Sequence, residues 1–213
     1  ILSMMREKRL HNVGIIGLGA GSLASYAQAG QTYTFYEIDP AVVKVATSTE
    51  LNAFTLVPNA IARGARVDVV LGDARLRLAE APAHGYDLLV IDAFSSDSIP
   101  VHLMSREALR LYLDKLSPDG IIAYHVSNRY LNLAPLVYNL AHDAGISWLG
   151  QIDSARAQPG QGRVWNKDIS RWVLVARNDQ AFGALRREVV ELGGIFHDVV
   201  ELPLVPGDHV GRR

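Results

Sequence analysis

The residues that could do chemistry in this chain sit where apolar runs of strand length end. The first run leads into Gly17-Leu18-Gly19-Ala20-Gly21-Ser22, a turn whose glycines let the backbone approach a ligand without Cβ interference and whose following helix start offers free N–H groups. The sixth position of a dinucleotide fingerprint is Gly or Ala, and Ser22 stands there instead, so the pattern is G-x-G-x-G. The second run ends Tyr36-Glu37-Ile38-Asp39, where Glu37 could accept hydrogen bonds from both hydroxyls of a ribose. The third ends Leu71-Gly72-Asp73-Ala74, where Asp73 could accept from the exocyclic amine of an adenine. The fourth is followed by Asp92-Ala93-Phe94-Ser95-Ser96-Asp97-Ser98-Ile99-Pro100, which has two carboxylates, three hydroxyls and no Lys or Arg. That loop suits a cationic substrate such as an amine and repels phosphate. Each feature also has a plain structural reading: close strand-to-helix packing for the glycines, helix N-caps for Asp39 and Asp73, a solvated turn around Asp97. For Asp39 the cap is the favoured reading. Several acids on one edge are harder to explain by capping, because open α/β sheets bind ligands along that edge.

The elements that must position these residues follow from periodicity. Apolar runs at 13–18, 33–38, 67–71, 86–91 and 121–126 predict strands, alternating with helical spacing at 41–54, 105–116 and 131–144. Pro40 suits the first turn of its helix, Ser117-Pro118-Asp119-Gly120 closes another, and Gly145 stops a third. This is the rhythm of a parallel sheet covered on both faces. Beyond it, 146–152 and 171–176 read as strands without a helix between them and predict an antiparallel hairpin. Their connection, 153–168, is rich in Gly, Gln and Pro, and a last helix is expected at 180–192. The fold class is therefore α/β: a Rossmann-like, seven-stranded, mostly parallel sheet of the methyltransferase type with a C-terminal antiparallel hairpin. Residues 1–12 read as a lead-in, 13–192 as a nucleoside-binding catalytic domain and 193–213 as an irregular tail.

Composition narrows the function. The chain has 213 residues, 49% hydrophobic and 20% charged, which suffices for one substantial core and excludes a disordered chain. Lys and Arg total 21 against 22 Asp and Glu, a net charge of -1, so no global field recruits nucleic acid. There is no cysteine, which removes disulfides, thiolate catalysis and Cys-ligated zinc; no histidine spacing suggests a metal, and none is expected. The uncharged stretch 12–36 is too polar to span a bilayer. The chain opens Ile-Leu-Ser and lacks a secretion signal, and is read as a piece of a longer protein. His102 and His125 flank the acidic loop; either could act as a general base or be an ordinary hydrogen-bonded histidine.

Gly17 to Ser22, Glu37-Ile38-Asp39, Gly72-Asp73-Ala74 and the stretch 86–100, in this order and spacing, resemble the polyamine aminopropyltransferases, the spermidine synthase family. They are most similar to its bacterial spermidine-synthase-like members, some of which are fused to membrane-spanning segments. The resemblance implies transfer of an aminopropyl group from decarboxylated S-adenosylmethionine to a diamine. It also implies that Gly17, Gly19 and Gly21 line the nucleoside, that Glu37 holds the ribose and that Asp73 holds the adenine amine. Ile38 and Ala74, next in the same motifs, count with them as nucleoside-binding. Asp92 would orient the attacking amine and take its proton, with Asp97 as the second catalytic carboxylate. The family's loop is usually D-S-x-D-P, whereas Asp92 and Asp97 are five apart and Pro100 is displaced; the family's acid inside the glycine motif is Ala20 here. The family's small N-terminal β-domain has no counterpart in this sequence. Many methyltransferases carry an acid two residues before the first glycine, and Ile15 stands there, as in the synthases.

The implied partner is a small cationic amine, with no nucleic acid and no direct membrane contact, and a homodimer is left open. The implied location is the cytoplasm, or the soluble part of a membrane-attached protein. Two alternatives stand beside this reading: an S-adenosylmethionine-dependent methyltransferase using the same nucleoside groups, and a non-catalytic nucleoside-binding domain of a larger membrane protein.

Overall fold

The computed structural model describes residues 10–51, 53–93, 100–128, 131–153 and 170–183, with backbone alone for 151–153. Seven strands form one sheet in the order β3-β2-β1-β4-β5-β7-β6. They are β1 (Asn12–Ile16), β2 (Thr32–Glu37), β3 (Arg66–Leu71), β4 (Tyr86–Ile91), β5 (Leu116–His125), β6 (Ser147–Asp153) and β7 (Ser170–Ala176). The first five run parallel; β7 lies antiparallel between β5 and β6. This is the expected α/β class, including the antiparallel end.

Strands buried on both faces must be apolar nearly throughout, and β4 is: Leu88 and Val90 enter one core, Leu89 and Ile91 the other. The same alternation sends Ile121 and Ala123 of β5 to the first face and Ile122 and Tyr124 to the second. Five α-helices are described: α1 (Pro40–Thr47), α2 (Leu56–Ala62), α3 (Ala74–Glu80), α4 (Arg106–Lys115) and α5 (Ala134–Asp143). Pro40 is the first residue of α1, and Asp39 caps it by accepting from the Ala41 N–H at 2.7 Å. Ser105 caps α4 by accepting from the Ala108 N–H.

Four expectations change. The helix expected over 41–54 ends at Thr47, and a separate α2 follows, with Pro58 accommodated in its first turn, where its missing N–H is not needed. The segment after the glycine turn, expected as the start of a helix, is a single 3₁₀ turn, Ser22–Tyr26. The helix expected over 131–144 covers only Ala134–Asp143, with Pro135 in its first turn. Ser117-Pro118-Asp119-Gly120 does not separate α4 from β5. Tyr86 pairs with Leu116 and Leu88 with Ile121, so residues 117–120 bulge out opposite Asp87 inside a continuous strand. Arg177 makes this possible by donating to the carbonyls of Leu113, Leu116 and Ser117, which a loop would otherwise leave to water. The expected strand bounds otherwise agree within a residue or two, β4 without change. Beyond β7 a 3₁₀ turn, Asp179–Phe182, starts the segment expected as the last helix. The remainder of that segment, most of the 153–168 connection, the first nine residues and the tail lie outside the described residues.

Tyr124 is fully buried on the second face beside Tyr112, its ring centroid 6.4 Å away, and its hydroxyl has no hydrogen-bond partner among the described residues. Burial pushes its phenol well above the usual range. A buried hydroxyl without a partner forfeits its solvation, so Tyr124→Phe is expected to raise stability, by about 1 kcal/mol in urea unfolding. A loss of stability would mean that the hydroxyl is satisfied in solution.

Candidate active site

The chain travels from β1 outward through β2 to β3, then returns to the other side of β1 as β4. Ligands of open α/β sheets bind where the strand order reverses in this way, outside the carboxyl ends of the strands. A cleft of about 560 Å³ lies there, floored by the glycine turn and lined by Glu37, Ile38, Asp39, Asp73, Ala74, Asp92 and His102 among others. The volume is within the range of roughly 300–1,000 Å³ usual for small-molecule sites.

The three motif glycines have three different jobs. Gly17 has φ +97°, and a Cβ there would stand 2.5 Å from the Asp92 carbonyl oxygen. Gly19, at φ +51°, has nothing within 4 Å of its Cβ position and lies on the cleft. Gly21 is not on the cleft; its Cβ position is 2.6 Å from the Val57 methyl of α2. Of the glycines expected to line a nucleoside, two therefore border the cleft and the third packs the turn against a helix.

Glu37 ends β2 and holds the turn in place. One carboxylate oxygen accepts from the Leu18 N–H at 3.0 Å, the other from the N–H groups of Ile38 and Asp39 at 2.8 and 3.0 Å. Ile38 is 69% exposed at the rim, and Ala74 lies half-buried in the wall. Asp73 caps α3, accepting from the Leu76 N–H at 3.1 Å, while its second oxygen lies 3.6 Å from His102 Nε2. Cap and cleft residue are thus the same side chain. Beneath the cleft the hydroxyls of Tyr36 and Tyr86 meet at 2.6 Å. Burial first, then that hydrogen bond, pushes the Tyr36 phenol up and keeps it protonated.

Asp92 follows β4 and shares the face of Leu88 and Val90. His125 ends β5 on the same face as Ile121 and Ala123, and its Nδ1 lies 2.7 Å from Asp92 Oδ1. On its other side the imidazole stacks on Trp172 of β7, with centroids 4.3 Å apart and planes 9° from parallel. His125 and Trp172 face each other directly in the antiparallel ladder. In the sequence His125 stands out only as one of two histidines flanking the acidic loop; its pairing with Asp92 and the place of Trp172 are visible in the fold. The available signal was period two on β5, which puts position 125 on the face of 123 and hence beside the end of β4. Asp97 lies outside the described residues.

Among the described lining residues the cleft holds four carboxylates, Glu37, Asp39, Asp73 and Asp92, and neither Lys nor Arg. Such a wall favours a cationic ligand and disfavours phosphate. No helix among the described residues is long and apolar enough to cross a membrane.

No family model matches the chain. Over 115 residues it is 36% identical to a polyamine aminopropyltransferase of Vibrio vulnificus (strain CMCP6), a match that covers 51% of this chain and 35% of that relative. The matched stretch thus amounts to about a third of the relative's length. Among solved structures, spermidine synthase from Thermotoga maritima is similar at a TM-score of 0.56 and 14% identity, covering 83% of this chain and 57% of that one. A spermidine synthase in complex with the transition state analogue AdoDATO gives 0.57 and 13%, covering 83% and 58%. Precorrin-6y C5,15-methyltransferase from Geobacter metallireducens GS-15 gives 0.59 and 15%, covering 82% and 85%. The structural likenesses establish the Rossmann-like methyltransferase fold. The resemblance read from the motifs is met by a sequence relative of that name over half the chain.

Gly17→Ala and Gly19→Ala separate packing from ligand approach. The first places a methyl against backbone and is expected to cost more than about 2 kcal/mol in denaturant unfolding. The second meets only left-handed strain and is expected to cost about 1 kcal/mol. Equal losses would contradict the different jobs assigned to these glycines.

Proposed function

We propose that this chain carries the nucleoside-binding part of an aminopropyltransferase, taking decarboxylated S-adenosylmethionine as donor and a small cationic amine as acceptor. The observation that carries the reading is the cleft at the strand-order reversal, walled by four carboxylates without a Lys or Arg among its described lining residues. A donor that bears a sulfonium and an ammonium but no carboxylate matches that wall. S-adenosylmethionine would bring a carboxylate to an acidic surface with no Lys or Arg among its described lining residues. The apolar Ile15, fully buried in β1, supports the same choice.

In this reading the turn around Gly19 receives the nucleoside, Glu37 accepts from the ribose hydroxyls while still holding the Leu18 N–H, and Asp73 accepts from the adenine amine. Ile38 and Ala74 supply apolar contact beside them. The sulfonium already activates the adjacent carbon, so the protein's task is to desolvate and aim the acceptor nitrogen. Its lone pair attacks the aminopropyl carbon, the C–N bond forms, and the C–S bond breaks with its electron pair passing to sulfur. The product is methylthioadenosine, a neutral thioether. The nitrogen's surplus proton passes to the Asp92 carboxylate. Asp97 is assigned to the grip on the acceptor's cationic end. Residues 13–192 are assigned to this domain. No metal is called upon.

Methyl transfer from S-adenosylmethionine is the second reading, favoured by the likeness to the precorrin methyltransferase, of which the match covers 85%. Titration calorimetry distinguishes them. Tighter binding of methylthioadenosine and the decarboxylated donor than of S-adenosylhomocysteine is expected; the reverse order overturns the proposal in favour of methyl transfer. Asp92→Asn is expected to lower turnover by at least about 100-fold while leaving methylthioadenosine affinity within a few-fold. Undiminished turnover would remove Asp92 from the reaction.

A further inference from the structure

We infer that His125 is a positioning residue for Asp92, and that Trp172 holds it in that role; the inference rests on Asp92 being the group that meets the acceptor. A carboxylate at the end of a strand can rotate, and a base that rotates loses the alignment on which its rate depends. Here the rotation is stopped from behind. With Nδ1 of His125 at 2.7 Å, the imidazole N–H donates to Asp92 Oδ1, and the second carboxylate oxygen is left for the cleft, which Asp92 lines. Both side chains are partly buried, 30% exposed for Asp92 and 20% for His125, so the bond is protected from competing water.

An imidazole can itself swing about its χ2 angle, and the fold removes that freedom too. His125 and Trp172 are direct partners in the β5–β7 ladder, and the indole lies flat on the imidazole at 4.3 Å. A flat aromatic face fixes the ring plane and suits an imidazolium as well as a neutral ring. Asp92 just past β4, His125 on β5 and Trp172 on β7 thus form one row across three adjacent strands of the sheet.

The test compares His125→Ala with His125→Asn, whose side-chain amide can reproduce a donor near the Nδ1 position. His125→Ala is expected to lower kcat about 10- to 100-fold with methylthioadenosine affinity within a few-fold, and His125→Asn to recover most of that loss. Trp172→Phe is expected to retain more activity than Trp172→Leu. Wild-type kcat in His125→Ala, or no recovery in His125→Asn with nucleoside affinity intact, overturns the inference. Proton NMR of the wild-type chain keeps it separable from the reaction assigned above. If wild type transfers no aminopropyl group, that assignment fails, and the pairing is judged on the resonance. A downfield imidazole N–H signal absent from His125→Asn and displaced in Asp92→Asn upholds it; lack of such a signal in wild type overturns it.

Discussion

The close approach of Gly17 to the Asp92 carbonyl is the contact on which the cleft depends. β1 and β4 are parallel neighbours that end level with each other, so the chain leaving β1 must cross the carbonyl of Asp92, the first residue past β4. Any Cβ at position 17 would stand 2.5 Å from that oxygen. With glycine there, the ladders continue one step past the strands: the Gly17 N–H donates to the Tyr36 carbonyl and the Asp92 N–H to the Ile16 carbonyl, both at 2.9 Å. The Leu18 N–H then meets the Glu37 carboxylate. The turn is thereby tied to both neighbouring strands before any ligand arrives. Glycine costs roughly 0.5–1 kcal/mol of extra chain entropy at each such position. Hydrogen bonds to a carboxylate, each of order 1.5–3 kcal/mol when shielded and less at a half-exposed site, are sufficient to offset it.

The legible part of this architecture was the part written in strand-length apolar runs and in the residues that end them. β4 could be read residue by residue because a strand buried on both faces permits almost nothing polar. The cleft acids were legible because they interrupt such runs at one edge. What escaped had a tertiary cause. Helix α2 carries Pro58, which reads as a breaker unless its position in the first turn is known. The bulge at 117–120 carries turn residues and behaves as a local turn, yet Arg177, 60 residues from Ser117, satisfies the carbonyls that would otherwise end the strand. Gly21 belongs to a ligand motif by spacing but is required by Val57 of α2, a contact no local pattern announces.

The antiparallel end of the sheet has a consequence for the site. β7 returns beside β5, and in the register of that antiparallel pair Trp172 falls opposite His125. Because Leu174 and Ala176 share its face, Trp172 is anchored by the same core that holds β1 and β4. The side chains behind Asp92 therefore come from strands rather than loops, the arrangement that would hold the proposed proton acceptor most tightly.

The charge distribution of the cleft supports the ligand class proposed above. A glycine turn before a helix ordinarily suggests phosphate, because its N–H groups carry partial positive charge. Here those N–H groups are partly consumed: Gly17 donates to the Tyr36 carbonyl, Leu18 to the Glu37 carboxylate and Gly21 to the Leu18 carbonyl, and the segment after the turn is a short 3₁₀ turn with little dipole to offer. Phosphate would face Glu37, Asp39, Asp73 and Asp92 with little to compensate. In the proposed reading a sulfonium nucleoside reverses each of these terms: the acids would attract its cationic centre, and its ribose and adenine would donate to Glu37 and Asp73. The same residues that would make this a poor nucleotide site make it a consistent site for a positively charged adenosyl donor.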